Sequence, residues 1–191
     1  GPNILYVLKS LGIDISEIKG IFHTHAHDDH FAGLPTLMKS DHRIKYYATP
    51  LVRSSVSKKL SALMSMEEEK FSQYFEVHDL EFDSWNDLDG LEVKPIFSPH
   101  PLETNIFQFR VLGKEGYKTY AHWADIVSFD VLNKMVTNDS PQEGVSKEFF
   151  KTIKTNYHLP VNLKKIDIGA GLIHGQAMDF EGDKSEKIIL S

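Results

Sequence analysis

Cysteine is absent from the 191 residues, which removes disulfide frameworks, thiolate metal sites and cysteine nucleophiles together. Any metal bound by this chain must be held by imidazole and carboxylate. Long apolar runs are lacking as well. No stretch approaches the roughly 20 residues that a spanning helix needs, and the start lacks the basic-then-apolar layout of a signal peptide. The expected location is therefore the cytoplasm, without membrane association. Positive charge is in short supply: 21 Lys and Arg stand against 27 Asp and Glu, for a formal net charge of -6. The charges are spread without long blocks, so no basic surface for nucleic acid or an anionic membrane is expected. An acidic chain acting on a phosphate needs local positive charge, and bound metal can provide it.

What is present is ordinary globular material, 41% hydrophobic and 25% charged, enough for one sizeable core. One domain is expected over residues 1–191. Gly1-Pro2 reads as a cloning remnant, in which case the natural sequence begins at Asn3.

Along the chain, Asn3 to Leu11 has helical apolar spacing, with Gly12 where a C-terminal cap belongs. Ile18 to Thr24 reads as a buried strand entering an active-site loop. Phe31 to Lys39 is predicted helical with Pro35 near its first turn, and Arg43 to Ala48 is predicted to be a strand. Leu51 to Met64 and Glu67 to Phe75 read as surface helices. Leu91 to Phe97 is the next strand. Asn105 to Leu112 and Tyr117 to His122 flank Gly113-Lys114-Glu115-Gly116, a hairpin with a four-residue loop. Ile126 to Val136 and Lys147 to Tyr157 read as helices around a loop at Thr137 to Gly144. Leu163 to Ile168 and Lys187 to Leu190 are the last predicted strands.

Chemistry concentrates in His23-Thr24-His25-Ala26-His27-Asp28-Asp29-His30, which holds four of the chain's ten histidines. Imidazole and carboxylate are ligands for borderline divalent metals, and crowding them without a cation is electrostatically wasteful. After a strand, alternate residues point the same way while the loop turns later ones back, so one segment can serve two adjacent metals.

This segment resembles the signature His-x-His-x-Asp-His of the metallo-β-lactamase superfamily. The matching register is His25, His27, Asp29, His30; a start at His23 fails, because it puts His27-Asp28 where Asp-His is required. The family pattern continues with a His, an Asp and a final His after later strands. Ser98-Pro99-His100-Pro101, Tyr120-Ala121-His122-Trp123-Ala124-Asp125 and Leu172-Ile173-His174-Gly175 follow in that order.

The resemblance implies an α/β fold, an αββα sandwich with two mostly antiparallel or mixed sheets between outer helices. The family usually has about two strands before its signature, whereas 22 residues precede His23 here. Those N-terminal strands are therefore expected to be missing or supplied outside this chain. It also implies two divalent metal ions, with zinc first and iron or manganese as alternatives. His25, His27 and His100 would bind the first ion, Asp29, His30 and His174 the second, and Asp125 would bridge them. The bridging Asp follows Gly in the family and Ala124 here.

The stretch Ile166-Asp-Ile-Gly-Ala-Gly-Leu-Ile-His174-Gly, with Asp179-Phe180 and Lys187-Ile-Ile-Leu190, is similar to a bacterial subset in which this domain accompanies a cyclic-nucleotide-binding module.

The implied function is a dimetal hydrolase of a small phosphodiester or other ester, with a metal-bridging hydroxide as nucleophile and Asp29 or Asp125 accepting a proton. The alternative is a di-iron redox, oxygen-sensing or signalling module; relatives doing that chemistry carry Glu where His27 stands. Expected associations are a small-molecule substrate, no nucleic acid, a homodimer, and a fused or partner signalling domain.

Plainer readings stand beside these. Taken alone, Asp125 reads as the N-cap of the Ile126 helix, and the family order makes it a ligand. His23 reads as strand-end structure or support behind a ligand. His122 is either a donor behind the ligands or a substrate contact, and Asp28 either orients a ligand or faces solvent. His42, His78 and His158 read as surface or loop residues, with Tyr157-His158 able to reach the site. Glu67-Glu68-Glu69 reads as a solvated helix start.

Overall fold

The computed structural model describes residues 1–137, 143–169 and 174–191, whose contacts fall into two units, Gly1–Phe82 and Asp83–Ser191. Residues 138–142 of the predicted Thr137 to Gly144 loop, and residues 170–173 before His174, lie outside the described residues.

In the first unit, α1 (Ile4–Ser10) ends before Gly12, whose φ of 71° gives the left-handed turn that closes a helix. β1 (Gly20–Phe22) follows, shorter than its apolar run. The single helix expected over Phe31 to Lys39 is instead two, α2 (Asp28–Phe31) and α3 (Leu34–Leu37). Gly33 stands between them. A Cβ there would lie 2.5 Å from the Gly1 carbonyl and 2.8 Å from the Ile4 side chain, so α1 can pack against this turn only because the position is glycine. β2 (Ile44–Ala48) leads into α4 (Pro50–Met64), with Pro50 in the first turn, Val52, Val56 and Leu60 buried on one stripe, and left-handed Ser65 closing it. A 3-10 turn and α5 (Phe71–Tyr74) precede β3 (Phe75–Asp79), so Phe75 begins a strand where the sequence predicts the end of a helix. β3 is short and polar, and its order comes from pairing with β2, a non-local contact. The sheet β1-β2-β3 is wholly parallel, unlike the antiparallel or mixed expectation.

The second unit carries β4 (Asn86–Leu88), β5 (Leu91–Ser98), β6 (Thr104–Gly113), β7 (Gly116–Trp123), α6 (Phe129–Lys134), α7 (Lys147–Tyr157), β8 (Leu163–Ile166) and β9 (Lys187–Leu190). The sheet runs in that strand order, antiparallel from β4 to β7 and parallel from β7 to β9. Leu88 pairs with Leu91 around Asp89 (φ 56°) and Gly90 (φ 92°), a two-residue turn that matches strand twist. Gly113 pairs with Gly116, so the second hairpin loop is Lys114-Glu115 rather than four residues. Trp123, Ile126, Ile106, Tyr157, Ile166 and Phe180 lie in the core of this unit. No helix among the described residues is long and apolar enough to cross a membrane.

Candidate metal centre

In the first unit the signature begins where β1 ends. His23 continues the pairing, donating from its amide to the Tyr47 carbonyl (3.0 Å). The chain then stays extended to His27, the N-cap of α2 (ψ 155°), whose carbonyl accepts from the Phe31 amide (2.8 Å). His25 is fully buried. Its Nε2 lies 3.0 Å from His27 Nδ1, close to the spacing of two nitrogens each about 2.0–2.1 Å from a common ion. The His25 and His30 rings are 4.3 Å apart between centroids. Thr24 Oγ1 lies 3.2 Å from His25 Nδ1 and 3.4 Å from His30 Nδ1. Asp29, exposed on the first turn of α2, has Oδ2 3.3 Å from His30 Nε2.

Lys59 of α4 braces this loop. Its ammonium donates to the Ala26 carbonyl (2.7 Å) and to Asp28 (2.5 Å), and sits over the Phe31 ring. Hydrogen bonding to Lys59 and its charge hold the Asp28 carboxyl below its ordinary range. Asp28 therefore faces solvent and anchors the loop. His23 is buried among these rings, and among the described residues neither ring nitrogen has a hydrogen-bond partner. Burial first, and then the neighbouring His25 and His30, push its pKa down to about 3, so it is neutral.

In the second unit, candidate ligands follow the ends of β5, β7 and β8. His100 comes two residues after β5, Asp125 two after β7, and Asp167 one after β8. Ser98 Oγ donates to the Asp125 carbonyl (2.8 Å) and lies 2.9 Å from the Tyr157 hydroxyl. With its one proton committed to Asp125, Ser98 accepts from Tyr157. Burial raises the Tyr157 pKa well above its ordinary value, so it stays a donor. Asp125, 1% exposed, places Oδ2 3.2 Å from His100 Nε2 and Oδ1 3.9 Å from His174 Nδ1. One carboxylate oxygen thus lies toward each of two histidines.

Asp125 does not cap the following helix. That helix starts at Phe129, and its N-cap is Ser128, whose hydroxyl accepts from the Val131 amide (3.3 Å). The Ile126 to Val136 prediction was therefore too long, and the carboxylate is released from the capping role. Ala124 in place of glycine is buried beside it. Room for His174 comes from two glycines: a Cβ at Gly169 would lie 2.7 Å from His174 Cγ, and one at Gly175 would lie 2.7 Å from Ile126.

Within each unit the structure thus brings together the residues singled out in sequence: His25, His27, Asp29 and His30 in one, His100, Asp125 and His174 in the other. The donor set, all imidazole and carboxylate, fits a pair of divalent ions. His122 instead takes a hydrogen bond with the Tyr120 hydroxyl (2.9 Å) along β7. His158 is stacked between Phe129 and Phe180 with Nε2 donating to the Asp179 carbonyl (2.8 Å), so of the Tyr157-His158 pair only Tyr157 reaches the site residues. His42 bonds the Ile18 carbonyl and His78 pairs with Glu76, both away from the signature.

Thr24, Lys59, Ser98 and Asp167 were missed in sequence. The first three act through hydrogen bonds that leave no motif. Asp167 was overlooked because β8 was predicted to run to Ile168, which made it an interior strand residue. Its signal was a carboxylate just after a strand, β8, whose parallel neighbour β7 ends two residues before Asp125.

A family model described as "Anti-Pycsar protein Apyc1" matches residues 1–137. No curated protein matches the chain. Among solved structures, the metallo-β-lactamase fold protein YhfI from Bacillus subtilis aligns with a TM-score of 0.65 at 11% identity, over 100% of this chain and 70% of that one. The short form of human tRNase Z aligns at 0.60 and 18% identity, over 100% and 78%. Yeast PDE1 aligns at 0.60 and 15%, over 92% of this chain and 57% of that one. These likenesses show an α/β fold of the metallo-β-lactamase type.

Proposed function

The chain belongs to the Anti-Pycsar protein Apyc1 family, and from that premise we propose that it is a dimetal hydrolase of a small phosphodiester. The family's name gives an opposing role without naming a reaction, so the chemistry has to be argued from the residues. The observation that carries the reading is Asp125, whose two carboxylate oxygens face His100 and His174 separately. In this reading His25, His27 and His100 would hold one ion and Asp29, His30 and His174 the other, with Asp125 a ligand shared by both.

Two bound divalent ions supply Lewis acidity and bring the pKa of water toward about 7. The protein's own part is positioning and proton handling. Lys59 and Thr24 hold the signature loop, and Ser98 holds the Asp125 backbone. Asp29, with a side chain 64% exposed, is placed to accept a proton and pass it to solvent. The preference for a small phosphodiester over nucleic acid is supported by the net charge of -6. Zinc is favoured by His27 at the second signature position, since imidazole suits zinc while di-iron relatives carry Glu there.

The test is hydrolysis of bis(p-nitrophenyl) phosphate by zinc-loaded protein, alongside the optical spectrum of protein purified in air. Colourless protein that cleaves the ester, and loses cleavage on chelation, is the expected result. A visible absorption band with no cleavage would overturn the reading in favour of the di-iron alternative.

A further inference from the structure

We infer that Asp167 is an additional metal ligand, completing with Asp125 and His174 a carboxylate-rich position suited to a hard cation of the manganese type. The inference rests on the two-ion reading above and deepens it. Ligand atoms of Asp125, Asp167 and His174 all lie within 4.8 Å of one another, and all three residues belong to the second unit.

The placement follows from the sheet. β7 and β8 are parallel neighbours in register at Trp123 and Ile166, and the Asp167 amide donates to the Trp123 carbonyl (3.0 Å). That bond ties the backbone of Asp167 to the strand that delivers Asp125. His174 is brought to the same point by Gly169, where any side chain would strike the imidazole ring. Among the described residues the buried His174 Nδ1 has no hydrogen-bond partner, and it is 3.9 Å from Asp125 Oδ1. This is too long for a hydrogen bond and consistent with two ligands sharing an ion. Two carboxylates held this close repel each other, and a cation between them removes the repulsion.

The chemical consequence is asymmetry. In the first unit His25, His27 and His30 make a cluster rich in imidazole, which suits zinc. In the second, Asp167 joins Asp125 beside His174, and carboxylate oxygen suits manganese and magnesium.

The experiment is titration of metal-free wild type, Asp167→Asn and Asp167→Glu with Mn²⁺ and separately with Zn²⁺, by calorimetry, with thermal melting of each metal-free protein. Asn matches Asp in size but lacks its charge, and Glu keeps the charge on a longer arm. The expected result is two ions per wild-type chain. In Asp167→Asn, Mn²⁺ binding at one position is about tenfold or more weaker, the loss for Zn²⁺ is smaller, and the metal-free melting temperature is unchanged. Asp167→Glu should recover part of the Mn²⁺ affinity. Mn²⁺ binding in Asp167→Asn within about threefold of wild type would overturn the role of Asp167 while leaving the two-ion reading standing. Fewer than two ions in wild type would overturn both.

Discussion

Asp125 can meet His100 and His174 with different oxygens because the backbone around it is committed elsewhere. Its carbonyl takes the Ser98 proton and the next helix is capped by Ser128, so helix capping does not occupy the carboxylate. Asp125→Ala and His27→Ala are each expected to abolish hydrolysis. His42→Ala should leave activity unchanged, because His42 bonds only the surface partners Asp41, Ser40 and Ile18. Comparing the three in one phosphodiester assay checks this. Gly169 offers a test that removes no ligand. Its Cβ would lie 2.7 Å from the root of the His174 ring, which cannot swing aside and remain a ligand. Gly169→Ala should therefore weaken metal binding by about tenfold or more, read by metal titration.

Elements place the ligands through strand ends and the hydrogen bonds that join them. Ser98 links β5 to the backbone beyond β7, with Tyr157 of α7 behind it, and all of these groups are buried. Ser98→Ala leaves the Asp125 carbonyl without its donor, at a cost of about 1–3 kcal/mol. Denaturant unfolding should show that loss together with weaker metal binding. A loss of stability with metal affinity untouched would mean that Ser98 supports the core alone. Legibility in sequence also varies at this scale. β2, α4, β5 and α7 carry their own periodicity and caps, as in the stripe Val52, Val56, Leu60 and in Ser146, which accepts from the Phe149 amide. β3 was hidden because its order comes from β2. β4 was hidden although Asp89-Gly90 is a strong hairpin signal, because Asn86-Asp87-Leu88 lacks strand-forming residues. At Gly33, between α2 and α3, a side chain would strike Ile4, a contact that no local pattern records.

For the whole molecule, ligands distant in sequence have to be held by a stable frame. In the second unit, Lys164 donates to the Tyr157 carbonyl and to Asp183, and both ends of the ion pair are 0% exposed. The same Tyr157 carbonyl accepts from Trp123 Nε1. Burial pushes the Asp183 carboxyl up, but the hydrogen bonds from Lys164 and Ser185 outweigh it and hold the carboxyl below its ordinary range. Burial also lowers the Lys164 amine, against the pull of Asp183. Removing one partner strands a buried charge, so Asp183→Ala should cost about 3–5 kcal/mol in denaturant unfolding. A carboxyl with a depressed folded pKa contributes stability above its unfolded value and loses it as pH falls through the folded one. Acid titration of the wild type should therefore show stability falling below about pH 4, more steeply than in Asp183→Asn.

The seven proposed ligands were legible because their residue types and order recur as a pattern. The eighth, Asp167, depends on how two strands end side by side. The central claim is that these side chains hold two ions, and elemental analysis of metal per chain in wild type and Asp125→Ala tests it most directly. Two ions per wild-type chain and loss of metal in the variant are expected. Equal metal content in the two proteins would contradict it.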